Sequence, residues 1–354
     1  MPRETVGATT FREVTDEWFR AWAPGRVNLI GEHTDYTGGL VFPMAIDLGI
    51  EIMGRRSDAI DLVSDDEIEA LHLELPITDP AETQPHWGRY VAGVATVFAA
   101  TQGFSGRVRS TLPPGAGLSS SAALELCSAR ALDVAGSPVE IAVKCRDAEE
   151  MATGVPCGIM DQLASAAGIE GHALLIDCHD VSVTAIPVHP TVGVTVIHSG
   201  QPRRLAESAY ARRRSECGAA EASIGPLRTA GAGDAERIFD PTVRKRARHV
   251  VSENQRVREF AHALVNDNLI TAGRLMNESH ASLRDDFEVS TDVLDRLVAR
   301  LMDTPGVFGA RLTGAGFGGC VVALHDPLIT LDGWRVSASG GAHRSDIDGP
   351  PHDR

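Results

Sequence analysis

The stretch Leu112-Pro113-Pro114-Gly115-Ala116-Gly117-Leu118-Ser119-Ser120-Ser121 constrains this chain more than any other. Two glycines let the backbone turn sharply and approach a ligand closely. Three serines then run straight into Ala122-Ala123-Leu124-Glu125-Leu126, a series of good helix formers. A strand over 108–112 is expected to feed the loop, and a helix to leave it and run to about residue 135. Such a junction presents free backbone N–H groups and the positive end of a helix dipole, which together make an anion site, most naturally for phosphate. The plain alternative is an ordinary loop with a serine N-cap.

Three glycine-loop chemistries compete for this reading. A Walker A loop needs Gly-Lys-Ser/Thr, but Lys144 and Lys245 are the only lysines and neither adjoins the loop. A second glycine run, Gly314-Ala315-Gly316-Phe317-Gly318-Gly319, fits the dinucleotide pattern by letter. A strand is expected after it where that pattern requires a helix. With Val321 the same run imitates a protein-kinase glycine loop, yet no His-Arg-Asp or Asp-Phe-Gly exists in the chain. What remains is a nucleotide site built from the backbone amides of 115–121 without a lysine.

The bulk properties set outer limits. A chain of 354 residues with 43% hydrophobic content can bury a large core and form two domains. Its net charge of −15 argues against broad nucleic-acid or anionic-membrane binding, while leaving room for an anionic small substrate. The six cysteines lie at 127, 145, 157, 178, 217 and 320, with no Cys-x-x-Cys pair and no zinc spacing. They read as reduced thiols of a cytoplasmic protein. The first residues contain no apolar signal-peptide core, and no run of about 18 apolar residues is present to span a membrane.

Periodicity predicts an amphipathic helix over 10–20 and a turn at Pro24-Gly25, followed by a short strand over 27–30. Antiparallel strands are expected through 41–75 and helices over 87–100, 139–153 and 159–164. Strands follow over 173–177, 181–186 and 192–198, with 187–191 as a link between lobes. Helices are expected over 205–222, 243–264, 270–283 and 291–303, then strands over 307–312 and 320–324. The tail from Ser337 is rich in Gly, Ser, His and Asp, and its end is expected to fray.

Two further stretches carry chemistry. Arg26, Glu32, His33 and Asp35 crowd within ten residues around Gly31. Carboxylates and an imidazole in a largely dry pocket suit a polyol, since each accepts from or donates to hydroxyls; the alternative is a solvated charged loop. Asp161 is an acid among apolar neighbours just after Gly158. It is a candidate base, or else a helix N-terminal acid favoured by the dipole.

Taken together, Pro24–Tyr36 (Pro-Gly-Arg-Val-Asn-Leu-Ile-Gly-Glu-His-Thr-Asp-Tyr), Gly115–Ala122 and Thr313–Cys320 resemble the GHMP kinase superfamily, and within it the galactokinases. Cys157–Gln162 and Ser279–Glu288 extend the resemblance, which covers roughly residues 10–325. It implies an α+β fold of two lobes, an N-terminal ribosomal-protein-S5-like lobe (1–190) and a ferredoxin-like C-terminal lobe (191–354), with the active site in the cleft. It implies transfer of the γ-phosphoryl of ATP to the anomeric hydroxyl of galactose. Asp161 and Arg26 would be catalytic. Glu32, His33, Thr34, Asp35, Gly158 and Tyr210 would hold the sugar. Gly115, Ala116, Gly117, Leu118, Ser119, Ser120, Ser121 and Trp87 would hold ATP, and Ser121 with Glu149 would ligate Mg²⁺. The sugar and ATP would be its only partners, with no nucleic acid or membrane and a monomeric state. Related sugar-1-kinases, acting on N-acetylgalactosamine or arabinose, and a silent galactose/ATP sensor are the rival readings. The sequence departs from the family pattern at Thr37, Gly38 and Ala209. It departs most after Leu324, where only residues 325–331 replace a helix; apolar surface of the C-terminal lobe is expected to lie open unless another element covers it.

Overall fold

The computed structural model describes residues 17–201 and 206–349. In chain order, β1 (Trp18–Asn28), β2 (Leu40–Val41), β3 (Pro43–Ser57), β4 (Ile60–Ser64) and β5 (Leu71–Leu73) come first. Next are α1 (Gly88–Val97), β6 (Gly103–Ser110), α2 (Ser120–Ala131), α3 (Pro138–Thr153) and α4 (Met160–Ala167). Then follow β7 (His172–Asp177), β8 (Ser182–Pro187), β9 (Gly193–His198), α5 (Ala206–Ile224), α6 (Ala232–Ala235) and α7 (Pro241–Val265). The last are α8 (Leu269–Asp285), α9 (Asp292–Met302), β10 (Val307–Thr313), β11 (Cys320–His325), β12 (Trp334–Val336) and β13 (His343–Ile347). The result is the expected α+β mixture.

Local signals explain many boundaries. Ser137 accepts from the Glu140 N–H while the Glu140 carboxylate takes the Ser137 N–H, so α3 starts on a reciprocal cap with Pro138 in its first turn. It stops at Gly154, whose φ of 71° is the left-handed conformation glycine adopts without a Cβ penalty. Leu294, Leu297, Val298 and Leu301 form the buried stripe of α9.

Three sheets result, in the orders β13-β1-β3-β6-β4-β5, β10-β11-β9-β12 and β2-β7-β8. All neighbours are antiparallel except β4 and β6, which run parallel and so correct the wholly antiparallel expectation for 41–75. One core packs α1–α4 against the first sheet and continues through Val257, Phe260 and Leu275 to Val194 and Val322. A second lies between α5, α7, α9 and the other face of the four-stranded sheet. The α8–β10 contact is so close that a Cβ on Gly273 would overlap the carbonyl oxygen of Phe308.

Two local expectations change. Trp18–Arg20 are the start of β1, not the end of a helix; Thr10–Asp16 lie outside the described residues. Phe19, Ala21 and Ala23 are buried, alternating with less buried residues, and the long ladder to β3 satisfies the backbone along the strand. Pro24-Gly25 is no turn but a register shift inside β1. There the strand touches the glycine loop: Arg26 N–H donates to Leu118 O at 3.0 Å, and a Cβ on Gly25 would stand 2.6 Å from that same oxygen.

The tail beyond Ser337 contributes a strand that the sequence did not announce, while its end, expected to fray, lies outside the described residues. His343–Ile347 add β13 to the edge of β1, with Arg344 stacked over Phe19 at 4.4 Å, and only residues 350–354 lie outside the described part. The missing helix after Leu324 does not lay the sheet residues beneath it open, although Leu328 in the replacing turn is itself exposed. Ile197, Val321 and Ala323 are at most 7% exposed. The short turn covers part of the gap, with Leu331 packed on the core, and Arg335 reaches across to Pro327 O at 2.8 Å. Thr195 and His325, hydrogen-bonded at 2.8 Å, fill positions an apolar pair would otherwise need. Among the described residues no helix is long and apolar enough to cross a membrane, and the six cysteines form no disulfide.

Candidate active site

The register shift in β1, the glycine loop and the start of α4 meet at one ion pair. Arg26 Nε donates to Asp161 Oδ1 at 2.8 Å and Nη2 to Oδ2 at 2.7 Å, the two-pronged geometry that a planar guanidinium and a carboxylate favour. The remaining arm, Nη1, donates to Gly117 O at 2.9 Å. Ser119 also donates to Asp161 Oδ2. It does so from a left-handed backbone, φ 62°, so its side chain serves Asp161 and makes no cap for α2. Asp161 Oδ1 therefore holds one donor and keeps a lone pair for a ligand.

Asp161 lines a cavity of about 200 Å³ together with Arg26, Glu32, His33, Asp35, Glu149, Cys157, Gly158, Met160, Tyr210, Gly314 and Ala315. Carboxylates dominate this wall, which suits a ligand rich in O–H donors. Glu32 Oε1 accepts from Gly314 N–H at 2.7 Å and Thr313 Oγ1 at 3.3 Å, tying the first motif to the β10–β11 turn and leaving the second oxygen for a ligand. Arg311, fully buried, stands 3.6 Å from the same Oε1.

Burial pushes the Asp35 carboxyl up to about 7, aided by Asp161 and Glu32. Asp35 fits only because residue 158 is glycine: a Cβ there would overlap the carboxylate. Burial lowers His33 to about 3, with His249 adding to the effect, so its imidazole is neutral. Its Nε2 faces the Ala315 carbonyl at 3.2 Å, which can only accept, and its Nδ1 faces the Tyr36 hydroxyl at 3.0 Å. Both ring nitrogens are thus engaged by the protein, and the ring packs among Tyr36, Tyr210 and Phe287. Thr34 does not line the cavity. It is fully buried, and its hydroxyl bonds Gly31 O at 3.0 Å and Leu40 O at 2.6 Å, shaping the loop from within.

On the other side of the glycine loop lies a second, larger cavity of about 460 Å³. Trp87, Tyr90, Leu112, Pro113, Pro114, Gly115, Ser120, Ser121 and Leu124 line it, with Asp66 and Glu67 at its rim. Ala116 and Leu118 are buried, so those two loop positions offer a cavity backbone at most.

Ser121 from the second cavity hydrogen-bonds Glu149 from the first, so this pair stands at the junction of the two. Burial raises Glu149, and Asp161 raises it further. These two hard oxygen donors, Ser121 and Glu149, fit a magnesium ion, which would offset phosphate charge there. Among the described residues no three His, Cys, Asp or Glu cluster to hold an ion by themselves.

Residues assigned no role from sequence alone complete the site. Gln162 donates to both Glu149 (2.6 Å) and Glu125 (3.0 Å). Glu253, lowered to about 2 despite burial because Arg256 and other cations face it, accepts from Gly31 N–H at 3.0 Å and so holds the first motif from α7. A sequence signal for the latter existed: Arg246, His249, Glu253 and Asn254 recur at helical spacing on the buried face of α7, a polar stripe where apolar residues are the rule.

Known proteins place this geometry. The galactokinase galactose-binding signature matches residues 9–56, and the N-terminal and C-terminal domains of GHMP kinases match 89–169 and 260–330. The chain is 44% identical over 335 residues to a galactokinase of Roseiflexus sp. (strain RS-1), covering 85% of this chain and 82% of that one. It is 42% identical over 322 residues to a Homo sapiens galactokinase, with 85% and 82% covered. The crystal structure of Lactococcus lactis galactokinase complexed with galactose superposes with a TM-score of 0.86 at 30% identity, covering 94% of this chain and 96% of the other.

Proposed function

This chain belongs to the galactokinases of the GHMP kinase superfamily, and from that premise we propose that it transfers the γ-phosphoryl group of ATP to the anomeric hydroxyl of galactose, giving galactose 1-phosphate and ADP. The observation that carries the reading is the pair of cavities joined at Ser121 and Glu149, with Asp161 on the smaller side. A sugar in the small cavity and a nucleotide in the large one face each other across that junction.

In this reading Asp161 Oδ1 accepts the proton of the anomeric hydroxyl as its oxygen attacks the γ-phosphorus, and the bond to the ADP oxygen breaks. Arg26 holds Asp161 in place through its two-pronged pair and adds positive charge beside the transferring group. Glu32, Asp35, Gly158 and Tyr210 hold the sugar hydroxyls. His33 belongs with them as the ring that ties Tyr36 and Ala315 into the cavity wall, and Thr34 as the shaper of their loop. The amides of 115–121 cradle the phosphates, and Trp87 packs beside the base. Ser121 and Glu149 would hold Mg²⁺, which when bound offsets phosphate charge.

We place the boundary between lobes near residue 190, with β13 returning to the N-terminal sheet, and read the protein as a cytoplasmic monomer acting on small molecules alone. The test is ADP release with ATP and each of galactose, N-acetylgalactosamine, arabinose and glucose, with the product identified by phosphorus NMR. Galactose is expected to give the highest kcat/KM and an anomeric phosphate. A preference for another sugar overturns the substrate assignment, and galactose binding without turnover overturns the enzyme reading in favour of a sensor.

A further inference from the structure

Behind Glu149 the structure holds a buried circuit that the phosphoryl transfer just described does not use. Gln162 follows Asp161 in the first turn of α4 and is fully buried. Its Nε2 lies 2.6 Å from Glu149 Oε2 and 3.0 Å from Glu125 Oε2, so the two amide hydrogens go one to each carboxyl. Turning the amide over would set its oxygen against both acids. Both carboxyls therefore fix which way the Gln162 amide points, and its Oε1 has no hydrogen-bond partner. Of the two acids, Glu125 is the one that lines neither cavity.

Glu125 is itself unusual. It is fully buried on α2, one turn beyond Ser121 and hence on the same face of that helix. The groups that act on it are Gln162, Glu149 and Asp161, with no cation among them, and its Oε1 has no hydrogen-bond partner. An apolar side chain of similar size would cost less there. Ser121, Glu149, Gln162 and Glu125 thus close a ring across α2, α3 and α4, helices that pack on one another. Cys157 Sγ reaches the same Glu149 Oε2 at 3.4 Å, so that oxygen is held from the protein side.

We propose that Gln162, oriented by Glu125, is a positioning residue that presents the Glu149 carboxylate to the metal–nucleotide complex. The proposal rests on the metal role read for Glu149. Partners one shell behind a ligand fix its orientation, and losing them typically costs about 10–100-fold in metal affinity.

The experiment measures Mn²⁺ binding in the presence of ADP by electron paramagnetic resonance, and galactose binding by calorimetry, on the full chain and its variants. Glu149→Gln tests the underlying reading: it should lose Mn²⁺–ADP affinity. If it binds like the parent, the metal role of Glu149 falls, and this proposal with it. With that control lost as expected, Gln162→Leu should weaken Mn²⁺–ADP binding roughly 10-fold or more while galactose affinity stays within about threefold. Unchanged Mn²⁺ affinity, or an equal loss in galactose affinity, overturns the proposal. The Glu125 pair decides independently, even if Gln162→Leu fails to fold. Glu125→Gln keeps an acceptor for the Gln162 amide and should stay within roughly threefold of the parent, whereas Glu125→Leu should fall about 10-fold. Equal loss in both, or in neither, contradicts the circuit.

Discussion

Gly158→Ala is the smallest change that should disable the sugar cavity. A Cβ at this position would overlap Asp35 Oδ2 and Cγ outright and would touch Asp35 Cβ at 3.0 Å. The carboxylate has to retreat by about 1 Å or more, a displacement of the size that costs on the order of 10²-fold when it misplaces a reacting or binding group. It has little room to do so, because Asp35 is held among Asp161, Glu32 and the backbone of Tyr36. At alkaline pH, where Asp35 is ionised, losing one charge-assisted hydrogen bond to a sugar hydroxyl costs about 1.5–3 kcal/mol, which is roughly 10- to 150-fold in Kd. Calorimetry with galactose should show that loss, and KM should rise in step. The effect runs through Asp35, so the cost should vanish once Asp35 is shortened. In a double-mutant cycle, Asp35→Ala with Gly158→Ala should bind no more weakly than Asp35→Ala alone. Fully additive losses, or a Gly158→Ala protein that binds galactose within about twofold of the parent, would refute the steric argument.

Two other predictions concern stability. Asp35 keeps its proton up to about pH 7 in the folded state, while in the unfolded chain it loses it near 3.8. The folded state therefore binds more protons across that window, so the Asp35 contribution to stability falls as pH rises from about 4 to 7. Urea melts of the ligand-free protein should show that decline, reduced in Asp35→Asn; an identical pH profile in the variant would contradict the assignment. Gly273→Ala should destabilise by about 3 kcal/mol or more, since the new Cβ would overlap the Phe308 carbonyl and stand 2.8 Å from Gly309 N, both backbone atoms that cannot rotate away. A loss under about 1 kcal/mol in denaturant melts would show that α8 and β10 separate easily.

What could be read along the chain depended on the range of the forces involved. The glycine loop and the helices expected over 139–153 and 291–303 are written in neighbours a few residues apart, and the structure has α2, α3 and α9 there. Pro24-Gly25 misled because a turn and a strand irregularity share the same dipeptide; only the approach of Leu118, far along the chain, decides between them. The tail strand His343–Ile347 was hidden for the same reason, since its polar, exposed pattern pairs with β1 across most of the chain.

The site followed a similar rule. Arg26, Glu32, Asp35 and Asp161 announced themselves as charges in apolar surroundings, and the structure brings them to one cavity. Thr34 sits in the same motif yet turns inward, because its hydroxyl closes the loop that the others project from. Gly158 reads as a contact in sequence; in three dimensions its value is the side chain it lacks. Gln162 and Glu125 act through partners on other helices, and nothing local to them signals that, whereas Glu253 belongs to the polar stripe on the buried face of α7.

The central claim is that Asp161 takes part in the phosphoryl transfer while the rest of the cavity binds the sugar. The direct measurement is galactose-dependent ADP release by the parent and by Asp161→Asn, with galactose affinity measured on both. The parent should release ADP in step with galactose 1-phosphate. The variant should bind galactose within about threefold of the parent yet turn over roughly 10²- to 10⁴-fold more slowly. Turnover within about tenfold of the parent, with binding intact, would contradict the account.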